Sequence, residues 1–123
     1  MIEKELTDKI IGCSIEVHRH LGPGLLESAY EECLCHELVL NNIPFERQKT
    51  LPIVYKGKEI QSAYRLDLLV DDKVVIEVKS VEKLLPVHEA QLLTYLKLTG
   101  KRTGLLLNFH CAVLKEGLRR LVL

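Results

Sequence analysis

Asp67, Glu77 and Lys79 are the residues of this 123-residue chain whose types and spacing point to chemistry. They sit in two runs of strand formers, Ile60 to Val70 and Val74 to Lys79, separated by the polar stretch Asp71-Asp72-Lys73. That pattern predicts a β-hairpin. Side chains alternate along a strand, so Tyr64, Leu66 and Leu68 are expected on one face and Arg65, Asp67 and Leu69 on the other. Val74, Ile76 and Val78 likewise oppose Val75, Glu77 and Lys79. A carboxylate and an ammonium at the end of an otherwise apolar strand lose hydration unless something compensates, and a bound cation is one such compensation.

The two carboxylates can share a cation in one register. Asp67 lies directly opposite Glu77 if Val70 pairs with Val74, which leaves Asp71, Asp72 and Lys73 as a three-residue loop; a two-residue loop without a bulge separates the pair. Aspartate tolerates the left-handed conformation such loops demand. Two hard oxygen donors facing one point suit Mg²⁺ or Mn²⁺, which keeps several waters and accepts a phosphate oxygen. The cation would acidify a water and polarise a phosphate, while Lys79 would orient the nucleophile or stabilise charge in the transition state. Taken alone, the three residues fit equally well a surface hairpin with a Glu77–Lys79 ion pair.

The elements that must position these residues are legible in turn. Leu6 to Leu21 predicts a helix with Thr7 as cap, Asp8 at the positive dipole end, and a stripe of Ile10, Cys13, Val17 and Leu21. Gly22-Pro23-Gly24 interrupts it, and a second helix is expected from Leu25 to Asn41, with Glu27 near the edge of its buried stripe. Phe45 to Tyr55 reads as a strand with Pro52 at an edge, and Lys56-Gly57 as a hairpin turn. Pro86 opens a third helix running through Glu89 to Thr99, stopped by Gly100. Thr103 to Asn108 reads as a strand covered on both faces, and Ala112 to Leu123 is ambiguous. The order predicts a mixed α/β sheet with helices packed on it.

Composition sets the surroundings. The chain fits one compact domain, residues 1–123, and 47% hydrophobic residues can fill one core. No apolar run is long enough to cross a bilayer, and the opening MIEKELTDK is too polar for a secretory leader, so a cytoplasmic protein without a membrane partner is expected. Cys13, Cys33, Cys35 and Cys111 form no CxxC pair and read as reduced thiols; Cys33 and Cys35 point apart on one helix and suit a zinc site poorly. Seventeen basic residues balance seventeen acidic ones, which counts mildly against nucleic acid, since polyanion binders usually show a basic excess. A local basic groove remains open, with Lys79, Lys83, Lys97, Lys101 and Arg102 as its candidates, a set that reads equally well as an ordinary solvated face. So small a domain offers little surface for gripping a duplex, which makes a homodimer with two sites a reasonable expectation.

Arg65-Leu66-Asp67 followed by Glu77-Val78-Lys79 resembles the core of the PD-(D/E)XK nuclease superfamily, with Leu66 standing where its name has proline. Gly24-Leu25-Leu26-Glu27-Ser28-Ala29-Tyr30 resembles the pattern of the GxxExxY protein family within it. Gln91-Leu92-Leu93-Thr94-Tyr95 is similar to the QxxxY motif of the RecB-like and lambda-exonuclease-like branches. The matches run in order and span nearly the whole chain. The resemblance implies a restriction-endonuclease-like core and a nuclease that hydrolyses DNA phosphodiesters with metal-activated water. It makes Glu27, Asp67, Glu77 and the Val78 carbonyl the ligands of Mg²⁺ or Mn²⁺, and Lys79 the catalytic lysine. Gln91 and Tyr95, four apart on one helix face, would bond the scissile phosphate or steady Lys79; they also read as a buried polar pair supporting the hairpin. The alternative is a nuclease-like module that binds nucleic acid or a protein partner without cutting.

Overall fold

The computed structural model describes residues 3–123, apart from the side chains of Ser62 and Ala63. Met1 and Ile2 of the polar opening stretch lie outside the described residues. Helices α1 (Lys4–Leu21) and α2 (Glu27–Leu40) come first, then strands β1 (Phe45–Tyr55), β2 (Lys58–Val70) and β3 (Val74–Lys79). Helix α3 (Pro86–Thr99), strand β4 (Thr103–Asn108), a 3₁₀ turn at Leu114–Gly117 and strand β5 (Leu118–Val122) complete the chain.

The five strands lie in sequence order in one sheet. All neighbours are antiparallel except β3 and β4, which run parallel with α3 as their crossover, as a parallel pair requires. Strand β4 is buried along its whole length, which accounts for its uninterrupted apolar run. The ambiguous tail resolves into the 3₁₀ turn and β5, an edge strand whose partial exposure explains its mixed sequence.

Two apolar clusters cover the two faces of the sheet. On one, Ile10, Val17, Leu34 and Leu38 from α1 and α2 meet Leu68, Val70, Ile76 and Leu105. On the other, Leu92, Tyr95 and Leu96 from α3 meet Leu66, Leu69, Val75 and Leu106. Each fully buried leucine of these clusters contributes about 1.5–3 kcal/mol, set against the cost of ordering the chain.

Several expectations shift by a turn or less. The first helix starts at Lys4, ahead of Thr7, whose hydroxyl donates to the Lys4 carbonyl at 3.0 Å from inside the first turns. Thr7 is therefore no cap; a Lys4–Asp8 ion pair at 2.6 Å supports the added turn. Helix α2 begins at Glu27 rather than Leu25, because Leu25 and Leu26 complete the connection that Gly22 and Gly24 start with left-handed φ angles of 66° and 102°. Pro52 does lie on an edge strand, at a register shift between Leu51 and Ile53.

Strict alternation along β2 fails at one place. Leu68 and Val70 pack under α1 and α2, whereas Leu66 packs with Leu69 under α3. Asp67 stands at this break.

Candidate active site

The hairpin register is the one that brings the carboxylates together. Val70 pairs with Val74, Leu69 with Val75 and Leu68 with Ile76. Asp71 and Asp72 take left-handed φ angles of 51° and 55° in the three-residue loop. Beyond Leu68 and Ile76 the backbone ladder ends and side chains take over. The backbone N–H of Asp67 donates to Glu77 Oε2 at 3.0 Å, and the N–H of Val78 donates to Asp67 Oδ2 at 2.8 Å. The strands thus part at the two carboxylates, each pinned by the other strand's backbone.

In an extended residue the N–H and C=O point to the same strand edge. Val78 turns its N–H to Asp67, so its carbonyl also faces the opening between β2 and β3. Lys79, half-buried, follows on the same face as Glu77. It is near enough to both carboxylates to favour their charged forms, yet it forms no ion pair with either among the described residues. The surface ion pair considered for Glu77 and Lys79 is therefore absent.

Electrostatically, Lys79 offsets only part of the cost of burying two neighbouring acids. Burial, and then the neighbouring Asp67, push the Glu77 carboxyl up to about 8. Burial also raises Asp67, against the bond from Val78 N–H, which lowers it. Tyr95 reaches the same region from α3 across the sheet; burial and then Glu77 and Asp67 push its hydroxyl up to about 12, which keeps it a donor. Its ring meets Tyr64 edge-on at 5.7 Å. Gln91, one helical turn earlier, is half-buried on the same side.

A second set of residues approaches from α2 and β1. Glu31, nearly fully buried, accepts from Arg47 Nε at 2.6 Å and from Gln48 Nε2 at 2.7 Å. The same Gln48 nitrogen donates to Asp67 Oδ1 at 3.3 Å. Gln48 adopts φ 53°, a left-handed conformation rare for a non-glycine strand residue, at a point where neither it nor Asp67 enters the β1–β2 pairing. Glu27, by contrast, is exposed on the first turn of α2. Among the described residues no three His, Cys, Asp or Glu side chains are grouped closely enough to hold a metal by themselves.

The loop before α2 is tied to the site. Tyr30 stacks on Phe109 at 4.5 Å, donates its hydroxyl to the Gly22 carbonyl and accepts from Leu25 N–H at 3.1 Å. Ser80, next to Lys79, donates to the Leu25 carbonyl at 2.7 Å. On the other side Asn108 exchanges two bonds with the backbone of Val81, at 3.0 and 2.9 Å, and so fixes the chain leaving Lys79.

Glu31, Arg47, Gln48, Ser80 and Asn108 escaped the sequence reading. For Glu31 a signal existed, since stepping back three and seven residues from Leu34 and Leu38 lands on it. The five candidate cations of a basic groove are not together. β3 and β4 run side by side with Lys79 opposite Asn108 and Val74 opposite Thr103. Thr103 is already roughly 17 Å from the Lys79 end at ~3.3 Å per residue, Lys101 and Arg102 lie beyond it, and Lys101 pairs with Asp72 at 3.1 Å.

The donors suit a hard divalent cation held partly by water and substrate. Two carboxylates with no ion-pair partner among the described residues and one backbone carbonyl line an opening in the sheet. The family model of the PD-(D/E)XK nuclease superfamily matches residues 4–121 of the chain. Comparison with curated proteins and with solved structures gives no match.

Proposed function

The chain belongs to the PD-(D/E)XK nuclease superfamily, and from that premise we propose that it is a Mg²⁺- or Mn²⁺-dependent nuclease hydrolysing phosphodiester bonds in DNA. The observation that carries this reading is the pairing of Asp67 and Glu77 where β2 and β3 part, with Lys79 beside them and unpaired with either.

Asp67, Glu77 and the Val78 carbonyl would hold the cation. Glu27 would join them as the carboxylate of α2: it lies one turn before Glu31 on the same helix face, and Glu31 is close enough to raise both Asp67 and Glu77. When bound, such a cation supplies acidification of a water and charge neutralisation of the phosphate. Lys79 orients the attacking water and stabilises charge as the phosphodiester opens. Tyr95, kept protonated, donates toward the phosphate, and Gln91 supports it from one turn away.

A module that binds nucleic acid or a protein partner without cutting is the second reading, favoured by the exposure of Glu27 and by the absence of a three-carboxylate group among the described residues. The test is cleavage of DNA and RNA by purified protein with Mg²⁺ or Mn²⁺, beside an Asp67→Ala, Lys79→Ala double variant. Cleavage of DNA by the wild type alone supports the nuclease. Equal activity in both ends it, and salt-sensitive DNA binding without metal binding favours the module.

A further inference from the structure

Gln48 stands where three acidic groups would otherwise face one another. Its amide nitrogen spends one hydrogen on Glu31 Oε1 and the other on Asp67 Oδ1. Asp67 is thereby held from both sides, by β1 through Gln48 and by β3 through the Val78 N–H on Oδ2. A carboxylate has about four lone-pair sites, so each oxygen of Asp67 keeps one for a ligand.

We infer that Gln48 is the positioning residue of the metal site, a neutral double donor that clamps Asp67 to the buried Glu31–Arg47 pair and fixes the rotation of its carboxylate. The inference rests on the reading of Asp67 as a metal ligand. Glu31 is the anchor of this clamp: it is nearly fully buried, and its charge is met by Arg47 at 2.6 Å as well as by the Gln48 amide. The side-chain chemistry is restrictive. Glutamate at position 48 would add another negative charge between Glu31 and Asp67, and lysine would bring a cation that competes with the metal. The backbone supports the same conclusion, since φ 53° is a strained conformation of a kind that persists where the surroundings over-determine it.

Two variants separate the amide from the backbone. Gln48→Gly removes the donor and relieves the left-handed strain; Gln48→Met keeps the side-chain length and the strain but donates nothing. Mn²⁺ binding is measured by titration calorimetry on the full chain, with thermal melting of the metal-free protein alongside. The expected result is an Mn²⁺ affinity lower by roughly 10–100-fold in both variants, with Gln48→Gly melting no lower than the wild type. Unchanged affinity in a folded Gln48→Gly protein overturns the inference. Loss of folding in both variants also overturns it, in favour of a purely structural residue. A wild type that binds no Mn²⁺ instead fails the underlying metal-site reading, so the two failures are distinguishable.

Discussion

The backbone N–H of Asp67 donates to the carboxylate of Glu77 across 3.0 Å, at the point where the ladder between their strands stops. A sheet bond has been exchanged for a bond to an acid. Both strands stay in register, while two carboxylates are pulled into a place that would otherwise hold paired backbone.

That exchange predicts how the metal-free protein responds to pH. Glu77 is pushed up to about 8 by burial and by Asp67, against ~4.3 for an unperturbed glutamate. The folded state therefore keeps a proton that the unfolded chain has released across this window. The stability linked to it is fully present below about pH 4 and is lost as pH rises through about 8. Thermal melts in chelator from about pH 5 to about pH 9 should fall for the wild type. Glu77→Gln keeps an acceptor for the Asp67 N–H and cannot ionise, so its melting point should be higher at the alkaline end and the slope flatter. A wild-type melting point that climbs across the window contradicts this.

Lys79 acts on charge without pairing with either acid. Lys79→Met should lower DNA cleavage by about 10²-fold or more while leaving an Mn²⁺ site that calorimetry still detects. The single-turnover cleavage rate read beside the binding isotherm checks it; loss of metal binding together with activity would make Lys79 a structural residue.

Tyr30 →Phe should loosen the loop over the site without emptying the core. The ring stays stacked on Phe109, while the acceptor for Leu25 N–H and the donor to Gly22 O disappear. Both loop groups stay within reach of water, so each lost hydrogen bond costs about 0.5–1.5 kcal/mol. Denaturant unfolding measures that loss, and faster amide exchange at Leu25 locates it.

Those outcomes bear on how much of the molecule could be read in its sequence. The strands from Phe45 to Tyr55, Val74 to Lys79 and Thr103 to Asn108 have the expected bounds, because β-branched and apolar runs between turn residues leave few alternatives. The three-residue loop was legible too, since Asp71 and Asp72 accept positive φ. The break at Asp67 was not. It depends on Gln48 from another strand and Glu31 from a helix, and neither a left-handed glutamine nor a buried glutamate bonded by an arginine announces itself in local spacing. Thr7 failed as a cap for a simpler reason, since Lys4 and Asp8 pair one turn earlier. The basic candidates are split because α3 returns the chain to the start of a parallel β4, which leaves Lys101 beyond one end of the strand pair and Lys79 at the other.

Gly117 probes the support behind Lys79. A methyl group there would collide with the backbone carbonyl of Asn108, whose amide holds Val81. Gly117→Ala should cost about 1–3 kcal/mol or more by overpacking. It should lower cleavage as well as the unfolding midpoint, because the chain leaving Lys79 shifts with Asn108. Unaltered cleavage and stability would show that Asn108 does not transmit to the site.

Whether Asp67 and Glu77 face an opening that takes a divalent cation is read from anomalous diffraction by crystals grown in Mn²⁺. The expected result is a peak between the two carboxylates, about 2.1 Å from an oxygen of each, absent from an Asp67→Asn protein. A saturating Mn²⁺ solution that leaves no peak there, with the bonds from Asp67 N–H to Glu77 and from Val78 N–H to Asp67 intact, would contradict it.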